Sequence, residues 1–149
     1  MPGYGMPVGT KGLLAWAWAE ERLRRSHNYY VMTVRPDATP HAMPVWGIWV
    51  DDRFYFSTGA KSRKARNLGA NPSCVVCTER SAEAVIVEGT ASTLEDAARL
   101  EAIAPHYARK YKSFTLDPRM GPIFEVRPKV VFGLREKTFK STTRWRFGK

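Results

Sequence analysis

Apolar positions change their period along the chain, and the changes mark out its elements. Leu13, Leu14, Trp16, Ala17, Trp18 and Leu23 recur at helical spacing, which predicts a helix over 11–26 with one broad apolar face. From Asn28 the pattern shortens. NYYVMTVR (28–35) and HAMPVWGIWV (41–50) are rich in β-branched and aromatic residues and read as strands joined by the turn PDATP. So short a turn makes them antiparallel neighbours. Pro44 inside the second run points to an edge, a bulge or a ligand-facing bend. Asp51 and Asp52 form a tight turn into RFYFST (53–58), so the first three strands read as a meander.

Beyond this, Ser62 is placed to cap a helix over 62–70, with Gly69 or Asn71 near its end and Pro72 beyond. SCVVCTE and EAVIVEGTAST read as two more strands. Ser92-Thr93-Leu94-Glu95 has capping-box spacing and opens a helix that Pro105 ends or kinks. PIFEVRPKVVFGLR holds one or two strands. TTRWRF (142–147) is the last, with Thr143, Trp145 and Phe147 on one face and Arg144 and Arg146 on the other. At least six strands with tight connections suggest a closed or split antiparallel barrel. Residues 1–10, rich in Gly and Pro, read as a loose tail, and 11–149 as a single domain.

Composition narrows the function. A chain of 149 residues with 44% hydrophobic content supports one real core. No apolar run approaches a membrane span, and LLAWAWA runs straight into EERLRR without a small-residue cleavage site. The expected location is the cytoplasm. Cys74 and Cys77 have C-x-x-C spacing, but on a strand they point to opposite faces, and His27, His41 and His106 are scattered. They read as ordinary buried thiols, and no metal site is expected. The net charge of +10 calls for an anionic partner: nucleic acid, an acidic lipid surface or a phosphorylated cofactor.

One stretch focuses that charge. In FYFSTGAKSRKARNLGANP (54–72) a strand ends in Ser57 and Thr58, and Lys61, Arg63 and Lys64 crowd the start of the next helix. Cations at the positive end of a helix are unfavourable unless an anion offsets them. Arg grips a phosphate through paired bonds, Lys acts as a point charge, and the two strand hydroxyls can donate to the same anion. The pattern is a strand-loop-helix phosphate cradle without the glycines of a P-loop. The bland alternative is a solvated basic face with Ala65 and Leu68 packed inward.

The stretch YVMTVRPDATPHAMPVWGIWVDDRFYFSTGAKSRKARNLGANPSCVVC resembles the pyridoxamine 5′-phosphate oxidase-like split β-barrel proteins. The likeness lies in the RPDATPHAMPV turn, the FYFST strand, SRKARNL and the NP before the next strand. It covers residues 27 to about 90, and the later order of elements agrees. The ending TTRWRF is similar to that of actinobacterial members that use the deazaflavin coenzyme F420 in place of FMN. The resemblance implies a mainly β fold with peripheral helices, a split antiparallel β-barrel of the FMN-binding type. It implies that Arg63 and Lys64, helped by Lys61, bind the cofactor phosphate, and that Phe56, Ser57 and Thr58 contact the ribityl-phosphate region. Met43, Pro44, Val45 and Trp46 would lie along the ring. Family members are homodimers with cofactor between subunits, so Arg144 and Trp145 would cover the ring or its tail from the partner chain. Where the vitamin B6 oxidases carry basic residues in the second-strand motif, this chain has His41 and Trp46.

The function this implies is an oxidoreductase that passes a hydride from reduced F420 to a conjugated small-molecule acceptor. An oligoglutamate-tailed phosphodiester also suits a protein of this charge. Tyr29, Tyr30, His41 or water are the proton donors left open. Trp46, Trp49 and Trp145 form a stacking floor, core or dimer interface. The rival readings are an FMN-dependent enzyme of the same fold, a flavin carrier without turnover, and a single-stranded nucleic-acid module.

Overall fold

Strand alternation produces one continuous sheet, curled on itself. The computed structural model describes residues 12–112 and 114–148; the tail expected over 1–10 lies outside the described residues. The order of elements is α1 (Trp16–Arg25), β1 (Tyr29–Val34), β2 (Pro40–Val45), β3 (Ile48–Val50), β4 (Arg53–Ser57), α2 (Arg63–Ala70), β5 (Ser73–Thr78), β6 (Glu83–Thr93), α3 (Ala97–Lys110), β7 (Ile123–Arg135), a 3₁₀ segment (Glu136–Ser141) and β8 (Thr143–Arg146). The strands join antiparallel in the order β2-β1-β5-β6-β7-β4-β3, with β8 also on β7. This is the mainly antiparallel split-barrel architecture expected, with helices at its margins.

The split has a local cause. The run 41–50 does not form one strand. It breaks at Trp46 and Gly47, and its two halves sit at opposite ends of the sheet path. Any Cβ at position 47 would overlap the Phe54 ring, so only glycine lets the chain cross there. The predicted meander is therefore interrupted: β1 pairs with β2, and β3 pairs with β4. Asp51 and Asp52 both have positive φ, 51° and 58°, which makes the β3–β4 turn type I′. Pro44 lies on an edge strand, where its missing N–H costs no ladder bond.

Two apolar clusters hold the sheet. The inner one unites Leu23 of α1, Val31, Trp49, Phe54, Phe56 and Leu68 of α2 with the facing residues of β5–β7. The outer one packs Ile103, Tyr107 and Tyr111 against Ile48, Val50 and Tyr55. Even residues of β3 and odd residues of β4 thus serve α3, while the others fill the barrel. Cys74 is buried in the inner cluster and Cys77 faces outward, as strand alternation requires.

The third helix differs from its expected form. Ser92 and Thr93 stay in β6, opposite Glu125 and Phe124, so the capping box does not form. Asp96 caps the helix instead, its Oδ1 accepting from the Ala98 and Arg99 N–H groups at 3.0 and 3.2 Å. The helix continues through Pro105 to Lys110. Pro105 and Glu101 are both exposed, so water can take the carbonyl that the proline leaves free. The remaining expected elements form within a few residues of their predicted ends, and the last long run is a single bulged strand, β7.

Candidate functional site

The basic cluster stands at the mouth of α2. Ser62 caps the helix, its Oγ accepting from the Ala65 N–H at 3.2 Å, and Arg66 N–H bonds to the Ser62 carbonyl. The N–H groups of Arg63 and Lys64 precede the first intrahelical bonds and point out of the helix start. No acidic residue occupies the first turn. Among the described residues no carboxylate pairs with Lys61, Arg63 or Lys64. Burial pulls the Lys64 ammonium below the usual lysine range. A half-buried cation at the positive end of a helix is electrostatically incomplete, and an anion completes it.

Asn67 fixes where that mouth faces. It is buried on the inner side of α2, and its amide donates to the Thr33 hydroxyl of β1 at 3.0 Å. Thr33 lies opposite His41 of β2. His41, Met43 and Val45 therefore share the face of β2 that looks toward α2, while Ala42 and Pro44 look to the outer face. Burial, with Arg35, Lys64 and Arg63 nearby, lowers the His41 imidazole below its usual range. Its Nδ1 is enclosed and has no partner among the described residues. The neutral ring is held among cations, with one polar atom awaiting a partner.

The structure brings some of the expected site residues together and separates others. Arg63 and Lys64 lie near His41, Met43 follows His41 on the same face of β2, and Lys61 lies exposed on the adjoining loop. Ser57 and Thr58 border it, but their hydroxyl protons are engaged within the chain: Ser57 Oγ donates to the Pro122 carbonyl at 3.1 Å and Thr58 Oγ1 to Ser62 Oγ at 3.1 Å. They shape the loop. Phe56 is wholly buried between Phe54 and Phe124, so its side chain belongs to the core, as does most of Val45. Trp46 turns away and stacks on Tyr111, centroids 4.5 Å apart and planes 5° from parallel. Trp145 packs edge-on to Trp16 at 5.3 Å, inside the inner cluster, and Arg144 points outward.

Sequence reading missed the support behind this opening. Tyr111 Oη bonds both the N–H and the carbonyl of Gly47, each at 2.9 Å, and reaches the His27 carbonyl at 2.8 Å. Lys110 Nζ donates to the same Gly47 carbonyl at 2.9 Å and to Tyr29 Oη at 2.6 Å. The end of α3 thus clamps the β2–β3 joint, and with it the strand that carries His41 and Met43. The i, i+4 pair Tyr107 and Tyr111 was the available signal, but it lies beyond Pro105, where the helix was expected to end or kink. Burial holds the Lys110 ammonium down at about 8 and pushes the Tyr111 phenol up to about 12.

Chemically, cations without a counter-charge at a helix start suit an anion. Burial raises the Cys74 and Cys77 thiols to about 12 and about 11, so neither supplies a thiolate at neutral pH. Tyr29 is fully buried and tied to Lys110 and the Leu23 carbonyl, and Tyr30 faces the outer side of the sheet. Of the three side chains expected as proton donors, His41 is the one at the opening.

A family model described as pyridoxamine 5′-phosphate oxidase matches residues 17–134. No curated protein matches the chain. Among solved structures, one described as F420 reductase is 26% identical, covers 75% of this chain and 94% of its own, and superimposes with a TM-score of 0.58. General Stress Protein 26 from Bacillus anthracis str. Sterne is 19% identical over 88% of this chain and 97% of its own, with a TM-score of 0.68. A heme binding protein from Mycobacterium smegmatis is 15% identical over 90% and 60%, with a TM-score of 0.68. The last two likenesses speak to fold alone. Among the described residues no helix is long and apolar enough to cross a membrane.

Proposed function

This chain belongs to the pyridoxamine 5′-phosphate oxidase family, and from that premise we propose that it is an F420-dependent reductase acting on a conjugated small molecule. The observation that carries the reading is the mouth of α2, where Arg63 and Lys64 stand without a counter-charge beside the enclosed, unpartnered His41 Nδ1. That donor set fits a phosphodiester. The likeness to an F420 reductase at 26% identity favours the deazaflavin over FMN.

When bound, the reduced deazaflavin supplies a hydride to an electrophilic carbon of the acceptor. The chain's own work is placement and charge. Arg63, Lys64 and the α2 N–H groups hold the phosphate, with Lys61 adding charge from the loop. Ser57 and Thr58 keep that loop in shape, and the Phe56 backbone forms the strand beneath it. Met43 supports the ring, with Pro44 and Val45 fixing the strand that presents it. Trp46, pinned on Tyr111, walls the far end and keeps water out. An anion in the cradle offsets the cations around His41, which favours its protonated form and makes it the proton donor.

The site is shared between two copies in this reading. Ser57 pairs with Ile123 and Trp145 with Val131, eight residues along β7, or about 26 Å at ~3.3 Å per residue. Arg144 therefore lies far from its own cradle and serves that of a partner subunit, while Trp145 stays packed in its own barrel. Trp145 faces inward between the outward Arg144 and Arg146, so β8 offers no alternation of cations and stacking rings on one face. That weighs against a single-strand nucleic-acid module.

Parallel titrations of the purified protein with F420 and FMN, read by tryptophan quenching, test the proposal. Saturable F420 binding with acceptor-dependent oxidation is expected. Binding of FMN alone overturns the cofactor, binding without turnover leaves a carrier, and binding of neither returns the cradle to a basic surface. In the same assay Arg63→Ala with Lys64→Ala should weaken binding by roughly 1.5–3 kcal/mol per lost contact. Unchanged affinity in a folded double variant removes the cradle assignment.

A further inference from the structure

A second basic cleft lies on the other side of the barrel, away from the mouth of α2. It has a volume of about 570 Å³ and opens between α1, the edge strand β3 and α3. Arg24 lines it from α1, and Arg99, His106, Arg109 and Lys110 from α3, with Trp49 and its neighbours of β3 between them. The α3 residues recur at 99, 102, 106 and 109–110, one face of a helix. Asp51 is the one carboxylate in the lining, and it is taken by Arg99 at 3.0 Å. Arg24 reaches Glu20 at 3.3 Å and remains mostly in solvent. Arg109 and Lys110 have no carboxylate partner within ion-pair distance among the described residues.

One further feature points the same way. The type I′ turn makes Val50 and Arg53 a hydrogen-bonded pair, so alternation leaves the main chain of Trp49 facing away from β4. With β3 at the end of the sheet, those groups open onto the cleft. Cationic side chains and the edge-strand main chain thus line a cleft whose one acid is already paired.

We propose that the α1–β3–α3 cleft is a second ligand site, selective for a small molecule carrying two or more carboxylate or phosphate groups. Its volume falls within the range of small-molecule sites. Arg24 and Arg109 grip the anionic groups from the two helices, His106 offers a further donor, and β3 closes the floor. None of the residues that grip the cofactor phosphate lines this cleft, so loss of the cradle cations leaves it intact, although Lys110 also braces the β2–β3 joint behind the cradle.

The test uses calorimetric titration of the full chain with citrate and, separately, with tripolyphosphate. Arg63→Ala/Lys64→Ala protein serves as the background, so that cradle binding is removed. One-to-one binding by either probe is expected, and the tighter of the two names the headgroup. Arg24→Gln with Arg109→Gln should weaken it about tenfold or more. Lys137→Gln with Lys140→Gln, which removes the same charge from an exposed segment outside the cleft, should leave it within about twofold. Absence of binding by both probes, or equal weakening by both variant pairs, overturns the proposal in favour of diffuse attraction to a basic protein. Binding that disappears with the cradle variant assigns the anion to the α2 mouth and overturns it as well.

Discussion

Lys110 occupies a position where a lysine is costly, and its titration exposes that cost. Its partners are a phenol and a carbonyl, neither of which neutralises it. Burial sets its folded pKa at about 8, below the ~10.4 of an unfolded chain. Between those values the unfolded chain holds a proton that the folded one has released, so stability rises with pH there. Below about 8 both states are charged and the folded state bears the full penalty. Denaturant titrations at pH 7.5 and 9.5 should therefore show wild type gaining on Lys110→Met as pH rises. The comparison stops short of pH 10, since Tyr111, raised to about 12, contributes the opposite slope once unfolded tyrosines ionise. A parallel shift of both proteins would remove Lys110 as the cause. Its neighbour gives a second test. Tyr111→Phe leaves the buried Gly47 N–H without its acceptor and should cost about 1–3 kcal/mol. Because the same hydroxyl anchors the β2–β3 joint, cofactor affinity should fall in the folded variant as well.

At the level of elements, α3 carries the clearest disagreement between local signal and structure. A proline in a helix interior costs up to ~3 kcal/mol, partly offset by a stiffer unfolded chain. Pro105 is exposed, so Pro105→Ala removes little contact and should stabilise the protein by about 1–3 kcal/mol, seen as a higher Tm. A lower Tm would mean that the proline sets the path on which Tyr107 and Tyr111 reach their targets. Elements whose termini are fixed by neighbours in sequence were readable: Ser62 caps α2 and Asp51-Asp52 turns β3 into β4. The exceptions were decided by distant partners. Thr93 prefers the ladder opposite Phe124 to a helix cap, and Gly47 breaks a strand because Phe54 fills the space above it. The candidate site divides in the same way. The cations of α2 were legible as a local charge pattern, whereas the clamp from Tyr111 spans 64 residues to Gly47 and no local pattern announces it.

For the whole molecule, the outer face of the sheet is the outstanding surface. Pro44, Tyr30, Cys77, Ile86 and Phe132 lie side by side across five strands, ending at Arg144. Tyr30 is 49% exposed although it sits mid-strand among apolar neighbours. A contiguous apolar strip of this kind marks an association surface, and the proposed homodimer uses it. Sedimentation should give a dimer for wild type and a monomer for Ile86→Glu, with cofactor affinity falling in step because Arg144 no longer reaches the second cradle. A folded Ile86→Glu protein that stays dimeric would place the interface elsewhere. Monomeric wild type would confine the cofactor to the α2–β2 opening of one chain.

The position of α3 in the chain has one more consequence. Thr93 and Phe124 are ladder partners, and Leu94 N–H bonds to the Ile123 carbonyl at 2.7 Å. The chain leaves the sheet and returns to it at adjacent points, so the segment between them is a cassette inserted in a hairpin. It supplies one wall of the basic cleft and also the Tyr111 clamp behind the cofactor strand. A single recombination at that doorway would exchange ligand preference and cofactor alignment together while the barrel register stayed as it was. For a lineage seeking new substrates, or a designer grafting loops between relatives, the two properties are inherited as one.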